Sequence, residues 1–252
     1  MELRRLVYAS KPFMSSPLGR PINHMGKIAA GLYFDIFLQR YHTEGMTFDI
    51  PKEHTTLAMR GKFTADTYEL PERILIKRHV SPTATVLELG GCIGVVSCVI
   101  NRILAQPRHH VVVEGNPDVI DVLKLNRDSN GCLFHIRRGV VSCKRHPKIS
   151  VGCAVDSNQL ACTGVEVPAL SIEHLEHAHE LAFDTLVMDI EGGEYDVLRE
   201  NADRLPHLTV AIIEFHPTLI GEASTNQLFH LLSQAGFRKI DEMLTVQAWV
   251  RS

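Results

Sequence analysis

The chain has 252 residues, 45% of them apolar, and its 26 basic and 29 acidic side chains leave a formal charge of −3. That is core material for one large domain with an appendage, and it excludes both a disordered chain and, lacking a basic excess, a general nucleic-acid binder. No run approaches the ~18 apolar residues that cross a bilayer, and six cysteines with no Cys-x-x-Cys pair predict scattered thiols in a reduced, cytoplasmic protein.

Residues 1–25, with Pro12, Ser15, Ser16, Pro17, Gly19 and Pro21, read as an irregular arm. An apolar face of Ile28, Leu32, Phe34, Ile36, Phe37 and Leu38 predicts a helix from Met25 to about Tyr41, and Met46–Ile50 a short strand stopped by Pro51. Arg60–Glu69 is polar and loop-like, and Pro71 opens a helix through Ile74, Leu75 and Ile76. Residues 1–80 are expected to form a helical cap on a main domain spanning 81–252. From Ser81 onward, apolar runs alternate with helical patterns, the signature of βαβ units and a parallel sheet. Thr85–Leu89 and Val111–Glu114 are predicted strands, each followed by a helix. Leu133–Ile136 with Val140–Val141 predict a third strand, and Ile149–Ser157 with Val165–Val167 a less regular β excursion. Ser171 caps a short helix carrying Ile172 and Leu175. Thr185–Ile190 and Thr209–Phe215 are buried strands separated by a helix through Val197 and Leu198. A helix around Gln227–Ala235 precedes Phe237–Ile240 and Val246–Val250, which close the sheet as an antiparallel pair.

The chemistry gathers where predicted strands end. Val86-Leu-Glu-Leu-Gly-Gly-Cys-Ile-Gly94 is a strand running into a glycine turn and a helix, where backbone N–H groups meet a ligand. Glu114 ends the next strand, placed to accept both ribose hydroxyls of an adenosine. A dinucleotide turn would read Gly-x-Gly-x-x-Gly. Here Glu88 stands two residues before Gly90, and a carboxylate there repels a pyrophosphate but suits a cation such as the sulfonium and ammonium of S-adenosylmethionine.

Glu88-Leu-Gly-Gly-Cys-Ile-Gly94, Glu114-Gly-Asn-Pro117, Asn126, Asp189-Ile-Glu-Gly-Gly-Glu194 and Glu214-Phe-His216 resemble, in order and spacing, the successive signatures of FkbM-type methyltransferases. The similarity covers roughly Glu69 to Phe237 and is strongest at Phe183–Leu198. It implies a class I methyltransferase fold: a Rossmann-like α/β three-layer sandwich with a mostly parallel seven-stranded sheet and an antiparallel C-terminal strand. It also implies S-adenosylmethionine as cofactor and methyl transfer, commonly to a hydroxyl oxygen of a small molecule, sugar, lipid or natural product. The cofactor set on this resemblance is Glu69, Glu88, Gly90, Gly91, Cys92, Gly94, Glu114, Gly115, Asn116, Gly139, Val140 and Asp189. The family usually has Asp at Glu88, Ala at Gly91, Asn at Cys92 and Lys at Met188. The last change removes a cation beside Asp189.

Asp189, Glu191, Glu214 and His216 are the candidate catalytic residues, with Asp189 positioning ligand and Glu191 the candidate base; Glu194 is expected mainly to cap the following helix. The acids offer oxygen ligands to Mg²⁺, but no metal is expected. His174, His177 and His179 wind around a surface helix, and Cys143-x-x-His146 with Cys153 and Cys162 is too irregular for zinc. The basic clusters Arg137-Arg138 and Lys144-Arg145-His146 read as solvated faces, and the oligomeric state is open, a homodimer included. The competing readings are a non-catalytic module that keeps the fold and, less favoured by the glycine order, a nicotinamide-dependent oxidoreductase.

Overall fold

The structure, a computed structural model, describes residues 19–151 and 163–251. Most of the expected N-terminal arm therefore lies outside the described residues. Helix α1 (Gly19–Tyr33) runs into a π-helical turn at Phe34–Leu38, which ends at Gln39 in the left-handed region. The helix expected to reach Tyr41 stops short of it. Tyr41 lies instead in β1 (Arg40–Thr43), paired antiparallel with β2 (Met46–Asp49). Tyr41, Thr43, Met46 and Phe48 are all buried, an alternation of period two that only a strand can satisfy. The segment expected as a loop from Arg60 to Glu69 begins inside a second helix, α2 (Leu57–Thr64), because the Thr56 hydroxyl caps it and Met59 and Phe63 bury one face.

Helix α3 (Leu70–His79) carries Pro71 in its first turn, as expected, and packs on the final three strands of the main sheet. The chain then alternates through β3 (Val86–Leu89), α4 (Val95–Ile103), β4 (His110–Glu114), α5 (Ile120–Ser129) and β5 (His135–Arg138). Five of the nine residues of α4 are β-branched, a poor intrinsic helix former, and burial of nearly the whole helix holds it in place. The third strand lies two residues beyond its predicted start. Val140–Val141 does not extend it: Gly139, at φ 146°, breaks the strand, and Val140–Val141 forms β6, paired with β9 (Ala169–Leu170). The expected β excursion is the antiparallel pair β7 (Lys148–Val151) and β8 (Thr163–Glu166). The part of that prediction between them falls outside the described residues.

Helix α6 (Ile172–His179) is capped by Ser171, whose Oγ accepts from His174 N at 3.1 Å. Strand β10 (Thr185–Met188), α7 (Glu194–Glu200), β11 (Val210–Glu214), the short α8 (Pro217–Ile220), α9 (Glu222–Gln234), β12 (Phe237–Met243) and β13 (Val246–Arg251) complete the chain. The main sheet has seven strands in the order β12-β13-β11-β10-β3-β4-β5. From β11 to β5 the pairs are parallel, while β13 runs antiparallel to both its neighbours. The expected mostly parallel sheet with an antiparallel C-terminal strand is observed.

Alternation along the strands divides the core. Val86, Val112, Val187 and Ile212 face α4, α5 and the aromatic residues Phe34, Tyr41, Phe48 and Phe63 of the N-terminal elements. Leu87, Val111, Leu186, Ala211 and Ile213 face Leu175, Val197, Leu198, Leu228 and Leu232 on α6, α7 and α9. The result is a three-layer sandwich. Asn126 on α5, fully buried, ties the layers to the N-terminal hairpin. Its Oδ1 accepts from Asp49 N at 2.7 Å, and its Nδ2 donates to Asp49 O and to Ile93 O, at 3.0 and 2.8 Å. Strand order reverses between β3 and β10, so the connections leave on opposite sides and open a crevice at the strands' C-terminal ends.

Candidate functional site

At the end of β3 the chain turns at Gly90, with φ 92°. A Cβ there would lie 1.8 Å from the Asp189 carbonyl oxygen, so the ends of β3 and β10 touch in a way only glycine allows. Cys92 follows at φ 44°, a left-handed conformation that costs a side-chain-bearing residue about 1–2 kcal/mol. Its N–H donates to Glu114 Oε2 at 2.7 Å, and Asn116 N–H donates to Oε1 of the same carboxylate at 2.6 Å. Glu114, 8% exposed, thus staples the glycine turn to the end of β4. Each oxygen keeps a lone pair for a further donor. A Cβ added at Gly91 or at Gly94 would meet Val112 or Leu123. Asparagine tolerates the left-handed region better than cysteine. Cys92→Asn is therefore expected to raise the urea midpoint by an amount equivalent to about 0.5–1 kcal/mol. A lowered midpoint would mean that the Tyr68 hydroxyl on Cys92 Sγ, at 3.5 Å, outweighs the backbone strain.

Glu88 does not face an open ligand space directly. It is 1% exposed, and its oxygens accept from Ser97 Oγ and meet His110 Nε2, both at 2.8 Å. It contributes to the wall of a small cavity, about 320 Å³ including its mouth, that Glu69, Glu72, Asp189 and Glu214 share and that no basic side chain among the described residues lines. Crowding and burial change these acids. Burial raises the Glu69 carboxyl from 4.5 to about 7. Glu72 is pushed well up by burial and by the facing Glu214, and Asp189 by burial and by the charges of Glu214, Glu72 and Glu191. Met188, where the family's lysine would stand, is buried in the apolar core cluster and also borders this cavity.

A raised acid holds its proton more tightly folded than unfolded, so its contribution to stability is lost as pH rises from the unfolded toward the folded value. The ligand-free protein is expected to show a falling thermal midpoint between about pH 5 and about pH 8. Circular-dichroism melts across that window check this, and a rising midpoint would contradict it.

Beside the cavity, His216 Nδ1 lies 2.7 Å from Glu194 Oε1, which also accepts from Gly192 N at 3.0 Å. Glu194 is fully buried: the residue expected to act as a helix cap is the anchor of the histidine. His216 Nε2 lies 3.2 Å from Glu191 Oε2, 3.7 Å from Asp189 Oδ1 and 4.0 Å from Glu214 Oε1. Burial opposes a charge on this imidazole, but the Glu194 hydrogen bond and the charges of Asp189, Glu194 and Glu191 outweigh it and raise the group to about 9. His216 in the ligand-free protein is therefore a cation at neutral pH. Glu191, half exposed and at φ 49°, is the acid of this group most open to solvent.

Sharing Leu89 and Gly90 with the acid cavity, a larger cleft of about 1340 Å³ including its mouth runs past Gly115, Gly139 and Val140 of the predicted set. Val113, Ile149 and Ile190 give it apolar walls, and Glu191 and Asp196 line one side. Lys144 and His146, read from the sequence only as a solvated basic cluster, line it too. Glu72 also escaped the sequence reading, although it stands one helical turn after Glu69. His179 stacks on His135 at 4.3 Å, away from the cleft. Of the irregular thiol set, Cys143 is exposed and free, and Cys153 and Cys162 lie outside the described residues. Among the described residues, no helix is long and apolar enough to cross a membrane.

The family profile described as Methyltransferase FkbM domain matches residues 88–239. A search of curated protein sequences finds no match. Among solved structures, the chain is similar to precorrin-6y C5,15-methyltransferase from Geobacter metallireducens, at 10% identity over 81% of this chain and 94% of that one, with a TM-score of 0.46. It is similar also to ribosomal protein L11 methylase from Lactobacillus delbrueckii subsp. bulgaricus, at 14% identity over 74% and 79%, with a TM-score of 0.45. A third likeness is to the tRNA (uracil-54, C5)-methyltransferase of Pyrococcus abyssi in complex with S-adenosyl-L-homocysteine, at 10% identity over 84% and 43%, with a TM-score of 0.46.

Proposed function

Because the chain belongs to the methyltransferase FkbM family, we propose that it transfers the methyl group of S-adenosylmethionine to a hydroxyl oxygen of a small molecule, sugar, lipid or natural-product intermediate. The observation that carries this reading is the cavity walled by five carboxylates and, among the described residues, no basic side chain, set at the end of the glycine turn. Glu72 Oε2 and Asp189 Oδ1 in it accept no hydrogen bond, with His216 Nε2 3.7 Å from the latter, and fit a positively charged ligand end. Bound there, S-adenosylmethionine supplies an electrophilic methyl carbon on a sulfonium. Glu69 and Asp189 would hold its cationic end, Glu114 its ribose, and Gly115, Gly139 and Val140 its adenine side.

This chain's own contribution is positioning and proton removal. Glu191, at the junction of cavity and cleft, takes the acceptor's proton. Asp189 orients the ligand, and Glu214 sets the charge around it. Glu194 holds His216 at the shared edge, where the imidazole balances the acids. The apolar cleft walls exclude water from the acceptor.

Isothermal calorimetry with S-adenosylmethionine and with NAD tests the cofactor. Binding of S-adenosylmethionine that weakens in Glu69→Gln and Glu114→Ala is expected, and binding of NAD alone would overturn the reading. Against a panel of hydroxylated acceptors, Glu191→Gln is expected to lower methyl-transfer turnover about 10²–10⁴-fold. Full turnover in both Glu191→Gln and His216→Ala would remove both from the proton path.

A further inference from the structure

The geometry around His216 points to a second ligand: we propose that Asp189, Glu214 and His216 form a site for a hard divalent cation, Mg²⁺ or Mn²⁺. Asp189 follows the end of β10, Glu214 ends the neighbouring β11, and His216 lies two residues further on. One donor atom from each lies within 4.8 Å of the others. Ligands bound ~2.1 Å from one ion stand ~3 Å apart when adjacent and ~4.2 Å apart when opposed. The Nε2 to Oδ1 and Nε2 to Oε1 separations of 3.7 and 4.0 Å fall inside that range.

Two further observations point to a cation rather than to a chance gathering of acids. Glu194, with no exposed surface, meets His216 Nδ1 at 2.7 Å, so Nδ1 keeps its hydrogen, while Nε2, turned toward Glu191, Asp189 and Glu214 at 3.2, 3.7 and 4.0 Å, gives up its proton when it ligates the ion. A buried carboxylate on the far nitrogen is how proteins orient a metal-binding imidazole. Behind the triad, Glu72 is 7% exposed and its Oε2 has no hydrogen-bond partner, and neither has Asp189 Oδ1. Both line a cavity that no lysine or arginine among the described residues lines. Thr245 Oγ1 donates to Glu214 Oε1 at 2.6 Å and fixes that carboxylate as Glu194 fixes the histidine.

Two carboxylates and one imidazole leave coordination positions for water or a substrate oxygen. In a role that rests on the methyl-transfer reading, the ion takes the acceptor hydroxyl into one of them. It makes the hydroxyl more acidic; the proton passes to the Glu191 carboxylate, and the oxygen keeps the bonding pair.

Titration of the metal-stripped full chain with Mn²⁺, followed by loss of the free-ion electron paramagnetic resonance signal, tests the site without any acceptor. Binding of one Mn²⁺ per chain, displaced by excess Mg²⁺, is expected. Asp189→Asn and His216→Gln, each checked for folding by circular dichroism, are expected to weaken it at least tenfold, and Glu194→Gln by about tenfold. No bound Mn²⁺, or binding unchanged in both folded ligand variants, overturns the site. Mn²⁺ binding without S-adenosylmethionine binding would leave the site standing and remove the methyl-transfer role.

Discussion

Gly90→Ala is expected to abolish calorimetrically detectable S-adenosylmethionine binding and to lower folding stability by about 2–4 kcal/mol. Two costs coincide at this position. The backbone sits at φ 92°, where an alanine is strained. The added methyl would also lie 1.8 Å from the Asp189 carbonyl oxygen, a backbone atom that cannot swing aside. Relief requires separating the ends of β3 and β10, and with them the glycine turn from the acid cavity. Gly94→Ala is the informative comparison. Its φ of 87° is similar, but the methyl meets Leu123 Cδ1 at 2.8 Å, the far end of a flexible side chain. The second variant should keep more cofactor affinity than the first; equal loss would show that the closeness of β3 and β10 is not what matters.

The largest stability effect is expected at Arg73. Its side chain is fully buried and donates to Thr43 Oγ1 at 2.6 Å, to Tyr68 O at 3.1 Å and to Asp66 Oδ1 at 3.2 Å, with Glu44 Oε1 3.5 Å away. Asp66 gathers the hydroxyls of Tyr41 and Thr43 as well. Arg73→Met fills much of the volume but leaves Tyr68 O without this donor and takes the guanidinium charge away from Asp66 and Glu44. A loss of about 3–5 kcal/mol is expected from denaturant titration. Arg73→Lys should recover only part of it, because an ammonium cannot reproduce the guanidinium fork. A loss below ~1 kcal/mol for Arg73→Met would mean that the network rearranges around an apolar side chain.

The parallel sheet could be read from the chain because its strands are buried on both faces. Val111–Val113 and Leu186–Met188 are continuous apolar runs inside their strands, and nothing local competes with that signal. The N-terminal region misled for the opposite reason. Leu32, Ile36, Phe37 and Leu38 look like the buried face of one long helix, yet they are exposed; of that face Phe34 is fully buried, and Tyr41 and Phe48 do the rest of the burying from a hairpin. Hydrophobic spacing records apolar residues, not which of them reach the core.

The same division holds at the site. Glu114, Asp189, Glu214 and His216 could be picked out because this fold brings the C-terminal ends of its strands to one edge, so chain order alone gathers them. The pairing of Glu194 with His216 and of Glu88 with His110, and the crowding of Glu72 by Glu214, depend on side chains meeting across separate elements. No sequence spacing encodes those distances.

Asn126 carries an implication for how such a chain can diversify. One amide holds Asp49 by both its N–H and its C=O while also gripping Ile93 in the glycine turn. Asn130, one turn later, repeats the two-way grip on Thr47. A hairpin grafted from a relative would need backbone groups in register with both amides, or the graft would disturb the turn itself. The hairpin is therefore more easily altered at its side chains than exchanged as a cassette.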